Sequence, residues 1–287
     1  MKFLITGANG LLGKNLISKI SFNNEITAIV RTFPSEMHQG VHYIPLDLSN
    51  EFSEEKLPSQ VDVIIHLAQS INFRNFPERA LDVFQVNVSS TAYLLDYARR
   101  AGAHTFIYAS SGGVYGNGNQ AFSENSPIIP PRQLGYYLGS KLCGEVLAQS
   151  YVNHFQVIVL RYFFMYGPNQ NRSMLIPRLV DSIKNRQPIT IQGSEGIRIN
   201  PIHVMDAVDA TLATLNIKES SIFNIAGPDI ISLRNISEEI GRYLNIDPQF
   251  NILHTEPLDL IGDNTAMQKK LIIPKKQLYK HLHEINQ

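Results

Sequence analysis

The chain has 287 residues, 44% hydrophobic and 17% charged, which suits one large α/β domain or a domain with a modest second lobe. Its 25 basic and 25 acidic residues balance, so no net field favours nucleic acid or an anionic membrane, and small-molecule partners are predicted. No apolar run approaches the roughly 20 residues of a membrane span, and the single cysteine excludes an internal disulfide. We therefore expect a cytoplasmic protein, and no metal site is predicted.

Short apolar runs alternate with helical segments over the first part of the chain. The predicted strands are Phe3–Thr6, Ile26–Val30, His42–Pro45, Val61–His66, Thr105–Ala109 and Val157–Arg161. Two long helices are predicted around Leu81–Ala101 and Tyr136–His154. Because strands and helices alternate, we predict an α/β fold with a Rossmann-like, doubly wound parallel sheet and helices on both faces.

The pattern changes after Arg161. Proline and glycine become frequent there, and the predicted elements are short and rich in loops. We predict a dinucleotide-binding Rossmann domain over residues 1–165, with a returning segment around 199–225. Residues 166–198 and 226–287 are predicted to form a smaller, mixed, C-terminal substrate-binding lobe.

The first predicted strand leads directly into a glycine-rich loop, Thr6–Gly13, and a helical stretch follows it. Glycines permit a tight turn and the close approach of a pyrophosphate, which then lies on the free N–H groups at the start of the helix. The position of the loop, between a strand and a helix, therefore predicts a dinucleotide site. The loop residues predicted to contact the dinucleotide are Gly7, Asn9, Gly10, Leu11, Leu12 and Gly13.

Tyr137 and Lys141 lie four residues apart, so a helix places the phenol and the ammonium on one side. Reduction of a carbonyl needs a proton for the new alkoxide, and a free tyrosine with a pKa of about 10 is a slow donor at neutral pH. An adjacent cation stabilises tyrosinate and lowers that pKa. Tyr136 is followed four residues later by Ser140 and not by lysine, so Tyr137 is the predicted proton donor.

The glycine spacing, the Tyr-x-x-x-Lys motif and the segment His66–Ala68 resemble the extended short-chain dehydrogenases/reductases. These form the NAD-dependent epimerase/dehydratase family, with its nucleotide-sugar reductases and epimerases. Leu160–Pro168 and Ile202–Asp206 match later landmarks of that branch, so the resemblance covers nearly the whole chain. It implies an NAD(P)-dependent oxidoreductase, and further dinucleotide contacts at Asp47, Leu48, Leu67, Ala68, Asn87, Tyr137, Lys141 and Tyr162.

The family's spacing also assigns a third catalytic residue, at the end of the strand that begins at Thr105. The hydroxyl that faces the substrate oxygen is expected to be that of Ser111, whereas Ser110 is expected to satisfy backbone groups. Ser111, Tyr137 and Lys141 would hydrogen-bond and protonate the substrate oxygen while the nicotinamide exchanges hydride with carbon. The resemblance also implies a homodimer that pairs through the two long helices.

The preferred cofactor is predicted from the end of the second strand. NAD-preferring members of the family carry Asp there, and its carboxylate hydrogen-bonds the adenosine ribose. This chain has Val30 and then Arg31, so the carboxylate that would repel a 2′-phosphate is absent and a cation is present. NADP(H) is therefore the predicted cofactor, and NAD(H) bound without the acid is the alternative.

Departures from the family's patterns narrow the predicted reaction. Sugar-nucleotide dehydratases of this branch carry an Asp-Glu pair where this chain has Gly112 and Gly113, so a dehydratase is not expected. Phe164 replaces an asparagine that contacts the substrate diphosphate in many 4-epimerases. The residues predicted to contact a nucleotide-diphosphate sugar are Phe164, Arg172, Arg178 and Arg198.

The leading prediction is reduction by NADPH of a keto group, at C4, on a nucleotide-linked keto-deoxysugar. It follows from Arg31, because a net reductase consumes hydride and NADPH is the usual biosynthetic reductant. Three alternatives stay open: an NAD-dependent nucleotide-sugar 4-epimerase, a carbonyl reductase of a non-sugar ketone, and a non-catalytic NADP(H)-binding regulator. Which sugar, nucleotide and product stereochemistry apply depends on loops that one sequence does not determine.

Overall fold

A computed structural model describes residues 1–285 of the chain, and all six predicted strands are present in it. The strands are β1 (Lys2–Thr6), β2 (Glu25–Val30), β3 (Val41–Pro45), β4 (Val63–His66), β5 (Thr105–Ser111), β6 (Gln156–Tyr162), β7 (Ile189–Gln192), β8 (Arg198–Ile199), β9 (Ser221–Ile225), β10 (Ile231–Ser232) and β11 (Phe250–Leu253). The main sheet has seven strands in the order β3-β2-β1-β4-β5-β6-β9. Its pairings from β3 to β5 are parallel, as the β/α alternation predicted.

Helices connect the strands. They are α1 (Leu11–Ile20), α2 (Ala80–Phe84), α3 (Ser90–Arg100), α4 (Pro131–Gln149), α5 (Leu175–Lys184), α6 (Val204–Ala213), α7 (Leu233–Leu244), α8 (Thr265–Lys270) and α9 (Leu282–Ile285). The first predicted long helix is interrupted, because a π-helical segment, Gln85–Ser89, joins α2 to α3. The second begins earlier than predicted, at Pro131, and Gly135 kinks it with a φ of 69°. Within residues 1–285 no helix has the length and hydropathy to cross a membrane.

The chain divides into two compact units. The first comprises Met1–Val114, Ile128–Arg161 and Thr211–Phe223, and it holds most of the main sheet. Leu4 of β1, Ile64 of β4 and Phe106 of β5 are fully buried in its core against Leu94 and Leu95 of α3. Leu4, Ile64 and Phe106 all belong to the apolar runs that the sequence analysis predicted as strands. Burial of these side chains stabilises the sheet.

The second unit comprises Tyr115–Pro127, Tyr162–Ala210 and Asn224–Gln287, of which the structure describes the part up to Ile285. Its elements are more regular than predicted. Apolar side chains of α5 recur at helical spacing, and they pack in one cluster with side chains of α7 and β7. The hydroxyl of Ser232 caps α7 by accepting from the backbone N–H of Asn235 at 3.1 Å. Most of the prolines and glycines of this unit lie between helices that the sequence pattern did not predict, although Pro177 lies within α5 and Gly241 within α7.

His66, at the end of β4, is a fully buried and uncharged histidine. Its Nδ1 lies 2.6 Å from the hydroxyl of Thr6, and its Nε2 lies 2.9 Å from the hydroxyl of Thr91. Because Thr91 donates its own proton to the carbonyl of Asn87, the Nε2–H of His66 is the donor toward Thr91. Burial, and secondarily the charge of Lys141, lowers the pKa of His66 from 6.5 to about 3.

This histidine is expected to make stability depend on pH. The unfolded chain binds a proton at His66 below its ordinary pKa of 6.5, whereas the folded chain resists protonation down to about 3. His66 therefore does not reduce the free energy of unfolding above pH 6.5, and this free energy falls as the pH drops from 6.5 toward about 3. We expect the free energy of unfolding to fall from about pH 7 to about pH 5, and to fall less in His66→Asn. Equal slopes in chemical denaturation would contradict the assignment.

Candidate active site

The glycine loop between β1 and α1 has the geometry of a pyrophosphate cradle. Gly7 has a φ of +67°, and a Cβ added there would lie 2.8 Å from the backbone nitrogen of Ala68. A Cβ at Gly13 would collide with the carbonyl oxygen of Gly7, so the helix packs on the loop only because this residue is glycine. Gly10 is the N-cap of α1 and has no side chain to cap the first N–H groups. Those groups are thus available to an anion, and the loop fits a dinucleotide.

A cavity of about 250 Å³ adjoins this loop, and the sequence did not reveal it. Asn9, Lys14 and His38 are among its lining residues, so loop, helix and the segment after β2 share its wall. The side-chain amide of Asn9 donates to the carbonyl of Thr32 at 2.7 Å, which ties the glycine loop to that segment. Arg31 itself is exposed just after β2.

The family resemblance implied dinucleotide contacts at residues that follow β3 and β4, and these residues occupy different environments. Asp47 is exposed, and its carboxylate accepts from the N–H and hydroxyl of Ser49 at 3.0 and 2.8 Å, so it closes a local turn. Leu48 is buried in the core of the first unit. Leu67 and Ala68 follow β4, and their N–H groups donate to the carbonyl and the hydroxyl of Thr6. Their contact with a dinucleotide stays a prediction.

Asn87 lies in the π-helical segment and is almost fully buried. Its side-chain oxygen accepts from the N–H of Ser70 at 2.9 Å, and its amide donates to the hydroxyl of Ser140 at 2.9 Å. Asn87 therefore connects the segment after β4 to helix α4, a positioning role beyond the cofactor contact that the resemblance implied. Such π segments often occur at functional sites, and no sequence signal marked this one.

Tyr137 lies on α4 just after the kink. Its hydroxyl donates to the side-chain oxygen of Gln69 at 2.9 Å, and its ring packs on Phe73 with centroids 4.9 Å apart. Desolvation raises the pKa of Tyr137 to about 12, although the nearby charge of Arg74 partly opposes this shift. The guanidinium of Arg74 lies 4.8 Å from the centre of the Phe73 ring. Sequence reasoning missed Gln69, Phe73 and Arg74.

Lys141 is buried one helical turn further along α4. Its ammonium donates to the carbonyl of Ala109 at 3.0 Å and lies 5.5 Å from the centre of the Tyr108 ring. Burial lowers the pKa of Lys141 to about 8, and the charge of Glu145 opposes that shift. The predicted lowering of the Tyr137 pKa by Lys141 is therefore wrong for this structure, because desolvation of the phenol dominates and the ammonium points to a backbone carbonyl.

Two serines end strand β5 with different partners. Ser111 is half-buried, and its hydroxyl oxygen accepts from the N–H of Gly113 at 3.2 Å. Ser110 is buried and donates to the carboxylate of Glu145. The expectation that Ser110 satisfies backbone groups is wrong, since its partner is a side chain.

Glu145 and Arg161 form a buried ion pair beneath the end of β5. The Nε and a terminal nitrogen of Arg161 donate to the two carboxylate oxygens at 3.0 and 2.6 Å, and both side chains are at most 5% exposed. Tyr137, Lys141 and Glu145 follow one another at four-residue spacing, so one face of α4 carries all three. That spacing was the available sequence signal, but Arg161 as the partner was not predictable from it.

The predicted substrate-binding residues lie in the second unit. Phe164 has a φ of 41° and packs against that unit's core. Arg172 is paired with Asp181, and Arg198 donates from Nε to Asp259 at 2.9 Å. Their role in substrate binding stays a prediction, as does that of Arg178, which is exposed on α5, and that of Tyr162, which ends β6.

A Rossmann-like sheet, a glycine cradle and a helix carrying the half-buried Tyr137 and the buried Lys141 on one face define an extended short-chain dehydrogenase/reductase. The chain belongs to the NAD dependent epimerase/dehydratase family, whose sequence model matches residues 3–226. The predictions of this family, of the fold class and of an NAD-dependent enzyme class are thereby confirmed.

Relatives of this chain act on nucleotide sugars. The UDP-N-acetyl-alpha-D-glucosaminuronate decarboxylase of Bacillus cytotoxicus is 27% identical over 252 residues, which cover 83% of this chain and 78% of that protein. The dTDP-D-glucose 4,6-dehydratase of Dictyostelium discoideum is 28% identical over 83% of this chain, although the match spans 61% of the dehydratase. The UDP-glucuronic acid 4-epimerase of Bacillus cereus, solved with UDP-glucuronic acid and NAD, has a TM-score of 0.88 and 26% identity, covering 100% of this chain and 98% of that one.

Proposed function

We propose that this chain is a nucleotide-sugar 4-epimerase in which Tyr137 moves the proton of the sugar's C4 hydroxyl. The observation that carries the proposal is the face of α4, where the half-buried Tyr137 and the buried Lys141 lie one turn apart. A similar fold over the whole chain in a UDP-glucuronic acid 4-epimerase supports the choice of C4. The proposed cofactor is NAD, which that structure contains.

Epimerisation at C4 needs one hydrogen to leave the sugar and to return on the other face. A bound nicotinamide dinucleotide supplies the acceptor and donor of hydride. The phenolate of Tyr137 would take the proton of the C4 hydroxyl, and the phenol would return it from the same oxygen. The hydroxyl of Ser111 would donate to the sugar oxygen and hold it during both transfers. Lys141, whose ammonium donates to the carbonyl of Ala109, would contact the dinucleotide, as the family resemblance implies.

The residues next to Ser111 support a reaction without elimination of water. The dehydratases of this branch place an acid and a base at the two positions that Gly112 and Gly113 occupy here. A Cβ at Gly113 would lie 2.8 Å from a terminal methyl group of Leu138, so a glutamate there would require the Leu138 side chain to turn away. The site thus lacks the carboxyl pair that elimination of water would use.

A net ketoreductase with NADPH is the second candidate, and Arg31 favours it. The cation after β2, with no carboxylate at the end of that strand, suits a 2′-phosphate. The chemistry of Tyr137 is the same in both candidates, because each transfers one proton to or from a sugar oxygen. They differ in whether reduced cofactor is consumed.

The deciding experiment follows the sugar and the cofactor together. UDP-glucose, UDP-glucuronic acid and nucleotide-linked 4-keto-6-deoxysugars are each incubated with the protein and NAD(H) or NADP(H). For an epimerase, proton NMR shows inversion at C4 while the absorbance of reduced cofactor stays constant. Stoichiometric oxidation of NADPH by a keto sugar, without epimer formation, would replace the epimerase with the reductase. No reaction of any sugar would contradict both.

Arg31 is expected to discriminate between the two cofactors if the reductase is correct. Arg31→Asp would remove a charge-assisted hydrogen bond to the 2′-phosphate and weaken NADPH binding by about 10–100-fold. NADH binding would weaken by much less, because NADH lacks that phosphate. Calorimetric titration of both cofactors measures the difference, and Arg99→Asp on α3 controls for net charge. An equal loss of affinity for both cofactors would show that Arg31 does not bind the 2′-phosphate.

A homodimer is also proposed, and exposed apolar side chains on the two long helical segments support it. Leu81 and Phe84 of α2 are 78% and 45% exposed, and Val146 of α4 is 59% exposed. Burying such side chains against a second copy is favourable. The cytoplasmic location stays a prediction.

A further inference from the structure

Gln69 makes a direct hydrogen bond to the group proposed to transfer the proton. It follows β4 by three residues and is half-buried, and its Oε1 accepts from the phenol of Tyr137 at 2.9 Å. The ring of Phe73 also packs against that of Tyr137, with ring centres 4.9 Å apart. The phenol therefore has a defined partner and limited freedom to turn.

The chemistry of a carboxamide suits a phenol that gains and loses a proton. A neutral phenol needs an acceptor, whereas a phenolate needs a donor. The side chain of Gln69 offers both, because a half turn of the amide exchanges its oxygen for its NH₂ group. An aliphatic side chain offers neither, and a carboxylate offers only an acceptor that would repel the phenolate.

We propose that Gln69 is a catalytic residue that hydrogen-bonds the phenolic oxygen of Tyr137 in both of its protonation states. The proposal rests on the proposed function, in which Tyr137 cycles between phenolate and phenol. When the phenolate takes the proton of the sugar hydroxyl, the sugar O–H bond breaks and the phenol O–H bond forms. The amide of Gln69 then turns from donor to acceptor and exchanges no proton itself.

The alternative is that the amide is fixed as an acceptor and only holds the neutral phenol in place. The two cases predict opposite effects when the amide is removed. If Gln69 serves both states, its loss removes more stabilisation from the phenolate than from the phenol, because hydrogen bonds to ions are stronger. The pKa of the phenol then rises. If Gln69 only accepts, its loss removes stabilisation of the phenol alone, and the pKa falls.

The test measures the ionisation of residue 137 without any substrate. A difluorotyrosine, more acidic than tyrosine, is incorporated at position 137 of the full chain, and its single ¹⁹F signal is titrated. We expect Gln69→Met to raise the pKa by about half a unit or more, and Gln69→Glu, which adds a negative charge, to raise it by about 1–3 units. The charged or titratable neighbours Arg74, Lys141 and Tyr108 are the same in every variant.

Gln60→Glu is the matched control. Gln60 precedes β4, is exposed, and bonds Lys2 at 3.4 Å, so the same change of charge is made away from Tyr137 and should leave its pKa unchanged. An unchanged or lowered pKa in Gln69→Met would overturn the proposal, provided that its thermal unfolding matches wild type.

Turnover separates this proposal from the proposed function. In the epimerase assay, Gln69→Met is expected to lower kcat by about tenfold or more at neutral pH, with less effect on KM and a smaller deficit at higher pH. A purely structural role would give a deficit independent of pH, which would overturn the catalytic role. If wild type turns over no nucleotide sugar while the titrations follow the expected order, the epimerase assignment fails and the bond of Gln69 to both states of the phenol stands.

Discussion

Tyr137→Phe is expected to lower the rate of epimerisation by about 10²–10⁴-fold, the usual contribution of a positioned general acid and base. The substitution removes one oxygen and leaves the ring on Phe73, so the packing at 4.9 Å is kept. Dinucleotide affinity is expected to change little, because the glycine loop is untouched and Tyr137 is only one of the many predicted dinucleotide contacts. The measurement is kcat/KM for the sugar together with a calorimetric titration of the cofactor.

Tyr136→Phe is the matched control for this prediction. Tyr136 is the preceding residue on α4, and its ring stacks on Phe76 at 4.9 Å. Tyr136→Phe removes the same phenolic oxygen but leaves the hydrogen bond between Tyr137 and Gln69 in place. Its turnover should therefore stay within a few-fold of wild type. If Tyr136→Phe were as inactive as Tyr137→Phe, or if the latter kept most of its activity, the assignment of the proton to Tyr137 would be wrong.

Glu145→Gln is expected to lower the free energy of unfolding by about 3–5 kcal/mol, as for removal of one partner of a buried ion pair. The carboxylate is fully buried and accepts from Arg161 and Ser110, and an amide of the same shape can satisfy only part of this set. Lys141 would also lose the charge that raises its pKa, so its ammonium would be harder to keep. Chemical denaturation measures the loss of stability.

The exposed ion pairs of α3 provide the comparison. Asp96 is paired with Arg99 and Arg100, and its side chain is 46% exposed. Asp96→Asn should cost no more than about 1 kcal/mol, because solvent screens both charges. A loss below about 1 kcal/mol in Glu145→Gln as well would show that the buried pair contributes little beyond what its hydrogen-bonded isostere provides.

Local pattern accounts for much of what the sequence predicted. The apolar runs, such as Phe3–Thr6 and Val157–Arg161, predict buried parallel strands, because a strand that helices cover on both faces of the sheet is apolar at successive positions. The glycine loop is recognisable because its backbone geometry depends on residues close in the chain. The pairing of Tyr137 with Lys141 on one helix face likewise follows from helical spacing alone.

Contacts between distant segments were decided by the tertiary structure. Gln69 meets Tyr137 across 68 residues, and Glu145 meets Ser110 across 35, since β4 and β5 are parallel neighbours and α4 packs against β5. Propensity and periodicity describe neighbours along the chain and say nothing of such partners. For the same reason the sequence did not show that desolvation raises the pKa of Tyr137 to about 12, or that Lys141 donates to the carbonyl of Ala109. The sequence by itself determined the sheet, the cradle and the catalytic candidates, whereas the packing of the chain decided their charges and partners, because desolvation depends on everything that surrounds a group.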